Sequence, residues 1–262
     1  MILTDTHIHL YAQEFNTDRD LLISDAMAKG VQRFFLPNID STSMEAMLLL
    51  EKKYPENCFA MMGLHPCSVK ENWQEELTLV EKHFAERKFT GVGEIGMDLF
   101  WDKTFVKEQE EVFRRQVRLG SHYKLPIIIH SRESFEEIYN ILLSESRNSQ
   151  SATRNSVRGI FHCFTGTIDQ AWRALELGFY LGIGGVVTFK NSGLDNVVRE
   201  IDLNHLVLET DAPYLAPAPF RGKRNVPEYI LKVAEKVASL KAISVDDVAQ
   251  ITTENSKKIF GK

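Results

Sequence analysis

The chain has 262 residues, a net charge of −5, 44% hydrophobic residues and 26% charged residues, a composition that excludes collagen-like, disordered and disulfide-framework proteins. With 31 Lys+Arg against 36 Asp+Glu, it lacks the net basic footprint of a sequence-independent nucleic-acid binder. Any contact with nucleic acid must therefore be local or assisted by metal ions.

Short apolar runs alternate with longer amphipathic stretches along the whole chain. Most of the runs are continuously apolar, as expected for strands that are buried on both faces of a sheet. Strands are predicted at Ile2–Thr6, Val31–Pro37, Cys58–Leu64, Gly91–Ile95, Pro126–Ile129, Gly159–Phe161, Tyr180–Ile183 and His205–Leu208. Helices are predicted at Asp18–Lys29, Ser43–Lys53, Gln74–Arg87, Lys107–Tyr123, Ser134–Ser144, Ile168–Leu177, Leu194–Ile201, Glu228–Leu240 and Val245–Ile259.

This alternation predicts an α/β protein with one domain over residues 1–262, a single (β/α)8 TIM barrel with an extra C-terminal helix. An open doubly wound sheet is the alternative, but no Gly-rich phosphate loop follows the first strand. The polar segment 144–156 is low in complexity. We expect it to be a loop on the barrel face opposite the active site.

The cysteines and the N-terminal residues bear on the compartment. The three cysteines include no CxxC pair, which is typical of a reduced chain in the cytoplasm. Residues 1–10 have no basic start and are interrupted by Asp5, His7 and His9, so we expect no signal peptide. Since no window approaches the roughly 18 apolar residues of a membrane span, the sequence predicts a cytoplasmic protein without membrane contact.

Residue types that bind metals collect at the predicted strand ends, where the catalytic groups of a barrel lie. Five of the eight histidines follow apolar runs together with one glutamate and one aspartate: His7, His9, His65, His130, His162, Glu94 and Asp211. A lone histidine at a strand end is more often a structural group, and we interpret His83, His122 and His205 in that way. Seven such groups at one barrel mouth predict a metal site.

The sequence HIH at residues 7–9 has the spacing of a ligand pair on a strand. Because side chains alternate along a strand, both imidazoles face one side and the residue between them faces the other. Two neutral imidazoles and a carboxylate suit Zn²⁺, Mn²⁺ or Fe²⁺ better than Mg²⁺. Glu94 stands about halfway round the strand order. With His130 and His162 there are enough ligands for two ions, and Glu94 is the candidate bridge.

Asp211 follows the last predicted strand. It is interpreted as a ligand of the first metal and as the acceptor for the proton of an attacking water; a helix cap or a salt-bridge partner is the alternative. We expect Glu209 to point away and to pair structurally. Asp5 and Asp98 are expected to orient ligands or to act as caps.

The loop Ala212–Pro227 is stiffened by prolines and carries Arg221, Lys223 and Arg224. Beside a metal site these residues are candidates for binding phosphate, as is Arg132; a solvated charged surface is the alternative. Aromatic residues of the predicted mouth loops could stack a base, although loop packing is their commoner role: Phe15, Phe100, Trp101 and Tyr214.

The motifs of the chain resemble those of the TatD family of metal-dependent deoxyribonucleases. They occur in the family's order between residues 4 and 260: DTHIHL (5–10), GLHP (63–66), GEIGMD (93–98), LPIIIHSRES (125–134), FHCFTG (161–166), TFKN (188–191), LETDAPYLAP (208–217), RGKRN (221–225) and NSKKIF (255–260). The chain departs from the family pattern at Cys67, at residues 99–101 and at Val226, in loops that are expected to face substrate.

The resemblance implies a TIM barrel that binds two divalent metal ions, Mg²⁺, Mn²⁺ or Zn²⁺. The implied ligands are His7, His9, Glu94 and Asp211 for one ion, and Glu94, His130 and His162 for the other. Asp211, Glu94 and His65 are the expected catalytic residues, with His65 as a pocket residue rather than a firm ligand.

The implied activity is that of a metal-dependent phosphodiesterase, a deoxyribonuclease that hydrolyses DNA ends as a 3′→5′ exonuclease on single strands. The expected partner is DNA, single-stranded or at 3′ ends, and we expect a monomer. The alternative is a different hydrolase on the same barrel, an amidohydrolase or an esterase such as an aminoacyl-tRNA deacylase. A binding protein with a residual metal site is a third interpretation, and the complete ligand set argues against it.

Overall fold

The computed structural model describes residues 1–148 and 157–262. All eight predicted strands form and pair in parallel, in chain order, as one eight-stranded sheet. The strands are β1 (Leu3–Asp5), β2 (Val31–Pro37), β3 (Cys58–Met62), β4 (Gly91–Asp98), β5 (Ile127–Arg132), β6 (Gly159–Phe161), β7 (Phe179–Ile183) and β8 (Leu206–Leu208).

The first and last strands meet at a seam that nearly closes the sheet. The backbone N–H of Thr6 donates to the carbonyl of Leu208 at 3.0 Å, and the N–H of Asp211 donates to the carbonyl of His7 at 2.9 Å. The predicted (β/α)8 barrel is therefore confirmed. The same seam brings Asp211, late in the chain, beside the HIH segment at the start.

Helices pack around the sheet, and all the predicted ones are confirmed with ends that differ by a few residues. In the described ranges they are α1 (Arg19–Ala28), α2 (Ser41–Lys53), α3 (Trp73–Glu86), α4 (Val106–Tyr123), α5 (Phe135–Asn148), α6 (Ile168–Glu176), α7 (Leu194–Glu200), α8 (Ile230–Lys241) and α9 (Val245–Phe260). None of these helices is both long and apolar enough to cross a membrane.

The segment 144–156 differs in part from its predicted loop structure. Helix α5 continues to Asn148, so the first residues of the segment are helical. Residues 149–156 lie outside the described residues. The position of this loop relative to the barrel mouth therefore stays a prediction.

The interior of the barrel is packed by one apolar side chain from each of five strands and is sealed by the C-terminal helix α9. These side chains form one buried cluster: Phe35, Met61, Ile128, Ile160, Val207, Ile259 and Phe260. The rings of Phe35 and Phe260 stack with their centroids 3.9 Å apart. Because side chains on one face of a strand recur every second residue, the residue two positions after each cluster member lies one layer nearer the mouth.

Replacing Phe260 by alanine is expected to lower the free energy of unfolding by about 3 kcal/mol, because it removes a buried ring and leaves a cavity against Phe35. Urea or thermal unfolding measures this loss. The matched control is Leu49→Ala on α2, whose side chain is 59% exposed; it should change the free energy by less than about 0.5 kcal/mol. Equal losses in the two variants would contradict the sealing role of α9.

Candidate metal centre

The seven residues predicted from strand ends meet at the carboxyl end of the barrel. Their side chains form two groups, one on each side of the Glu94 carboxylate. His130 and His162 lie one layer above Ile128 and Ile160 of the packed interior, as the period of two along a strand requires. The apolar layer is thus the floor of a polar site.

The first group surrounds one oxygen of Glu94. Its Oε2 lies 3.1 Å from Nε2 of His7 and 3.7 Å from Nε2 of His9. These two nitrogens are 3.3 Å apart. Oδ1 of Asp211 lies 3.7 Å from the nitrogen of His7 and 3.5 Å from that of His9. Both imidazole nitrogens therefore lie close to an oxygen of each carboxylate.

The spacing of these four atoms fits a divalent cation. Ligand atoms about 2.1 Å from a tetrahedral ion stand about 3.4 Å from one another. The separations of the two imidazole nitrogens from each other and from the two carboxylate oxygens run from 3.1 to 3.7 Å. The group is almost wholly buried, so charged and polar atoms at these distances need a compensating charge. Imidazole nitrogens with carboxylate oxygens are donors that suit Zn²⁺ or Mn²⁺.

The second group surrounds the other oxygen of Glu94. Its Oε1 lies 2.9 Å from Nδ1 of His130, 3.3 Å from Nε2 of His65 and 3.6 Å from Nε2 of His162. The ring centroids of His65 and His130 are 4.6 Å apart, whereas those of His130 and His162 are 6.5 Å apart. His65, expected only to line the pocket, thus lies close enough to Glu94 and His130 to share a metal ion with them. Its place after a predicted strand marks it as a site residue, but the sequence does not predict its distance from Glu94.

Glu94 reaches its place because β4 is irregular. The strand was expected to end at Ile95, but it continues to Asp98 because its pairing with β5 continues. The register shifts between Val92 and Ile95, and such a bulge re-aims a side chain. Gly96 has φ +144°, and a Cβ there would stand 2.0 Å from the carbonyl oxygen of His130. Only glycine permits this approach of the two strands.

Asp211 is held in a backbone conformation that is uncommon for residues other than glycine. Its φ is +56°, in the left-handed region that non-glycine residues rarely adopt, and such residues often occur at functional sites. Asn225, which the sequence analysis did not single out, is fully buried nearby. Its side chain donates to the carbonyls of Thr210 at 2.8 Å and Tyr214 at 2.7 Å. The backbone on both sides of Asp211 is therefore fixed by one amide.

Two further carboxylates lie next to two histidines of the site. Oδ2 of Asp98 lies 2.9 Å from Nε2 of His130, and Oε1 of Glu209 lies 2.9 Å from Nδ1 of His162. A carboxylate on the nitrogen that faces away from a metal orients the ring and raises its basicity as a ligand. The orienting role expected for Asp98 agrees with its contact. Glu209 was expected to point away and to pair structurally; it does pair, but it faces the candidate ligand His162, because it lies two residues after Val207 of the packed interior.

Asp5 joins the start of the barrel to its end. Its carboxylate accepts from the backbone N–H of His7 at 3.2 Å, and from the N–H and hydroxyl of Thr210 at 3.1 and 2.6 Å. Burial raises the pKa of Asp5 to about 8. It orients backbone segments on both sides of the seam, which agrees with the expectation that it supports the ligands.

The charges of the site follow from burial and neighbours. Burial raises the pKa of Glu94, but the nearby imidazoles, His65 first, outweigh it and hold this pKa well below its usual range. Burial, together with His162, lowers the pKa of His7, which favours the neutral imidazole that a metal requires. Burial lowers the pKa of His162, but the carboxylates of Glu209 and Glu94 outweigh it and raise that pKa to about 10.

The predicted phosphate-binding residues after β8 are all exposed, in different surroundings. The guanidinium of Arg221 lies 4.1 Å from the ring centroid of Phe189, and Lys223 extends from the same loop. Arg224 forms an ion pair with Asp18, with Nη1 3.1 Å from Oδ1. This pair ties the loop to the segment before α1, so the charge of Arg224 is partly neutralised.

The aromatic residues of the mouth loops differ in how exposed their side chains are. Phe15 is fully buried, so it has the commoner role of loop packing and is not available to stack a base. Tyr214 is half-exposed, and its ring centroid lies 5.9 Å from that of His9. Phe100 and Trp101 are exposed next to Arg132. The exposed rings thus stand on two sides of the cluster.

The barrel and this donor set together define a metal-dependent hydrolase. The family model of TatD related DNases matches residues 4–261, and the chain belongs to this family.

Named relatives agree with this assignment over nearly the whole chain. The chain is 39% identical over 260 residues to the uncharacterized metal-dependent hydrolase YabD of Bacillus subtilis, with 99% of both chains covered. It is 32% identical over 266 residues to YcfH of Escherichia coli, also an uncharacterized metal-dependent hydrolase, with 99% of this chain and 96% of that protein covered. The crystal structure of YJJV, a TatD homolog from Escherichia coli, superposes with a TM-score of 0.91 at 28% identity, covering 99% and 98% of the two chains.

Zn²⁺ or Mn²⁺ is expected to stabilise the metal-free protein against heat, because a cation compensates the converging donors. At a metal concentration of about 100 Kd the gain is about 2.7 kcal/mol, or about 5–10 °C for a chain of this size. Differential scanning calorimetry with and without chelator measures it. The nearly isosteric variant Asp211→Asn should respond less. Identical melting curves with and without metal would contradict the fit.

Proposed function

We propose that the chain is a metal-dependent phosphodiesterase that removes nucleotides from the 3′ ends of single-stranded DNA. One observation carries the proposal: the buried Glu94 carboxylate has a group of donor atoms on each side. This arrangement suits two divalent ions, which would supply Lewis acidity for hydrolysis of a phosphate diester. Membership in a family described as TatD related DNases supports a phosphate-ester substrate.

The proposed ions are Mg²⁺, Mn²⁺ or Zn²⁺. His7, His9 and Asp211 would hold one of them, and His130 and His162 the other, with Glu94 shared between the two. His65 would complete the second set or contact the phosphoryl group, because its Nε2 faces the same oxygen of Glu94 at 3.3 Å.

The bound ions would supply Lewis acidity, which lowers the pKa of water and neutralises charge on the phosphoryl oxygens. The chain's own groups would orient the reactants. Burial raises the pKa of Asp211, but the hydrogen bond with His9 and the neighbouring histidines outweigh it and keep this pKa below its usual range. The ionised carboxylate can therefore orient the attacking water and accept its proton.

Substrate would be held at the mouth by exposed basic residues. Arg132, Arg221 and Lys223 can bind phosphate oxygens, and Arg224 would contribute mainly by fixing the loop through Asp18. Few such contacts are needed if only a terminal nucleotide or two enters the site, which is consistent with the net charge of −5. We further propose one domain over residues 1–262, a monomer, and the reducing cytoplasm, where three free cysteines are ordinary.

The test is to incubate the metal-stripped protein with 5′-labelled single-stranded DNA and to add Mg²⁺, Mn²⁺ or Zn²⁺. We expect a metal-restored ladder that shortens by one nucleotide at a time. Glu94→Ala should abolish the ladder, because it removes donors from both groups, while its unfolding stays cooperative. An active Glu94→Ala variant would overturn the bridging role. If no ion restores cleavage of DNA, the proposal falls and an acyl or amide substrate, aminoacyl-tRNA first, takes its place.

The basic loop gives a separate prediction. Replacing both Arg221 and Lys223 by alanine should raise KM for DNA more than it lowers kcat, because phosphate contacts remote from the reacting atoms contribute mainly to binding. The dependence of kcat/KM on salt should become shallower, since fewer counterions are released. Steady-state kinetics at several salt concentrations measure both effects. An unchanged salt dependence would count against phosphate binding by this loop.

A further inference from the structure

Two large aromatic side chains are exposed at the rim of the site. Trp101 is 68% exposed and Phe100 is 45% exposed. Their ring centroids are 4.9 Å apart with the planes at 84°. The guanidinium of Arg132 lies 4.2 Å from the ring centroid of Phe100 and 5.0 Å from that of Trp101. We call Phe100, Trp101 and Arg132 the aromatic platform.

The platform is fixed to the candidate metal centre through Asp98. Oδ1 of this buried carboxylate accepts from the backbone N–H groups of Phe100 and Trp101, both at 3.0 Å. Oδ2 of the same carboxylate lies 2.9 Å from Nε2 of His130. One carboxylate therefore sets the position of the loop and the orientation of a candidate ligand.

Arg132 is placed by the strand that carries His130. It follows His130 by two residues in β5 and pairs in register with Asp98 of β4. Within residues 1–148 and 157–262, no carboxylate lies at salt-bridge distance from Arg132. Its charge is therefore available to a ligand, whereas that of Arg224 is shared with Asp18.

We propose that the aromatic platform binds a nucleobase of the substrate, next to the scissile phosphate. This inference rests on the proposed function and adds the feature that selects a single strand. Every base offers a π-face that can stack on an exposed aromatic ring without readout of sequence. A guanidinium beside the rings adds attraction to the adjoining phosphate.

The chemistry of the platform suits an unpaired base better than it suits a protein surface or a base within a duplex. The patch is small and carries a cation, whereas a protein interface would continue as a larger apolar surface. In a duplex the faces of the bases are covered by their neighbours, and exposing one costs unstacking and unpairing free energy. The platform therefore favours frayed ends and single strands without any contact to base edges.

The test uses the metal-loaded enzyme and single-stranded oligonucleotides in which one nucleotide at a time is replaced by an abasic residue. For the unmodified enzyme, one abasic position near the 3′ end should lower kcat/KM by about 10- to 100-fold, the size of one stacking interaction. Trp101→Ala should lose a similar factor on intact DNA, mainly through KM. It should lose little more on the strand that is abasic at that position, because the same contact is already missing.

Two variants control for indirect effects. Trp172→Ala removes an equally large exposed side chain from α6 and should leave kcat/KM unchanged on every strand. Trp101→Phe keeps a ring and should restore most of the activity. If Trp101→Ala has full activity on intact DNA, the platform is overturned. If it loses the same factor on intact DNA and on each abasic strand, the residue acts only through the structure of the loop and the proposal is again wrong.

Binding separates this proposal from the proposed function. Fluorescence anisotropy of a labelled oligothymidylate measures affinity without turnover. If no ion supports cleavage but Trp101→Ala weakens binding by about 10-fold or more, the platform stands and the exonuclease activity does not. If the ladder forms and the affinity of Trp101→Ala equals that of Trp172→Ala, the activity stands and the platform does not.

Discussion

The buried carboxylate of Glu94 is the constraint on which the rest of the site depends. An ionised group in this position would be costly unless each oxygen met compensating partners. His7 and His9 face one oxygen, and His65, His130 and His162 face the other. The barrel satisfies this demand by bringing strand ends that are far apart in sequence to one mouth, which is also what a metal-dependent hydrolase requires.

Several groups support the donors around Glu94 from behind. Asp98 lies against His130, Glu209 against His162, and Asp5 fixes the backbone on both sides of the seam. Beneath them lie the apolar layer of the barrel interior and the C-terminal helix that packs against it. Precise spacing of donors is thus a property of several layers rather than of the ligands alone.

The mouth loops decide which substrate can reach such a centre, and each is attached to the barrel by different residues. The loop that carries Phe100 and Trp101 shares Asp98 with the site, and the loop after β8 is held by Asn225 and by the pair of Arg224 with Asp18. The backbone of the loops that carry the exposed rings and cations is therefore anchored beside the donors. Because the same fold accepts many substrates, the side chains of these loops are what would distinguish one substrate from another.

The sequence by itself determined the fold and the membership of the site. Continuous apolar runs mark strands buried on both faces, and ligand residue types directly after them mark the mouth, so His7, His9, Glu94, His130, His162 and Asp211 could be identified from local patterns. Only the tertiary structure decided the contacts. It places His65 next to Glu94 and buries Phe15. It also fixes the backbone beside Asp211 through Asn225 and pairs Arg224 with Asp18. These contacts depend on strand register, on the bulge in β4 and on the closure of β8 against β1. Such long-range contacts produce no periodic pattern in the sequence from which they could be predicted.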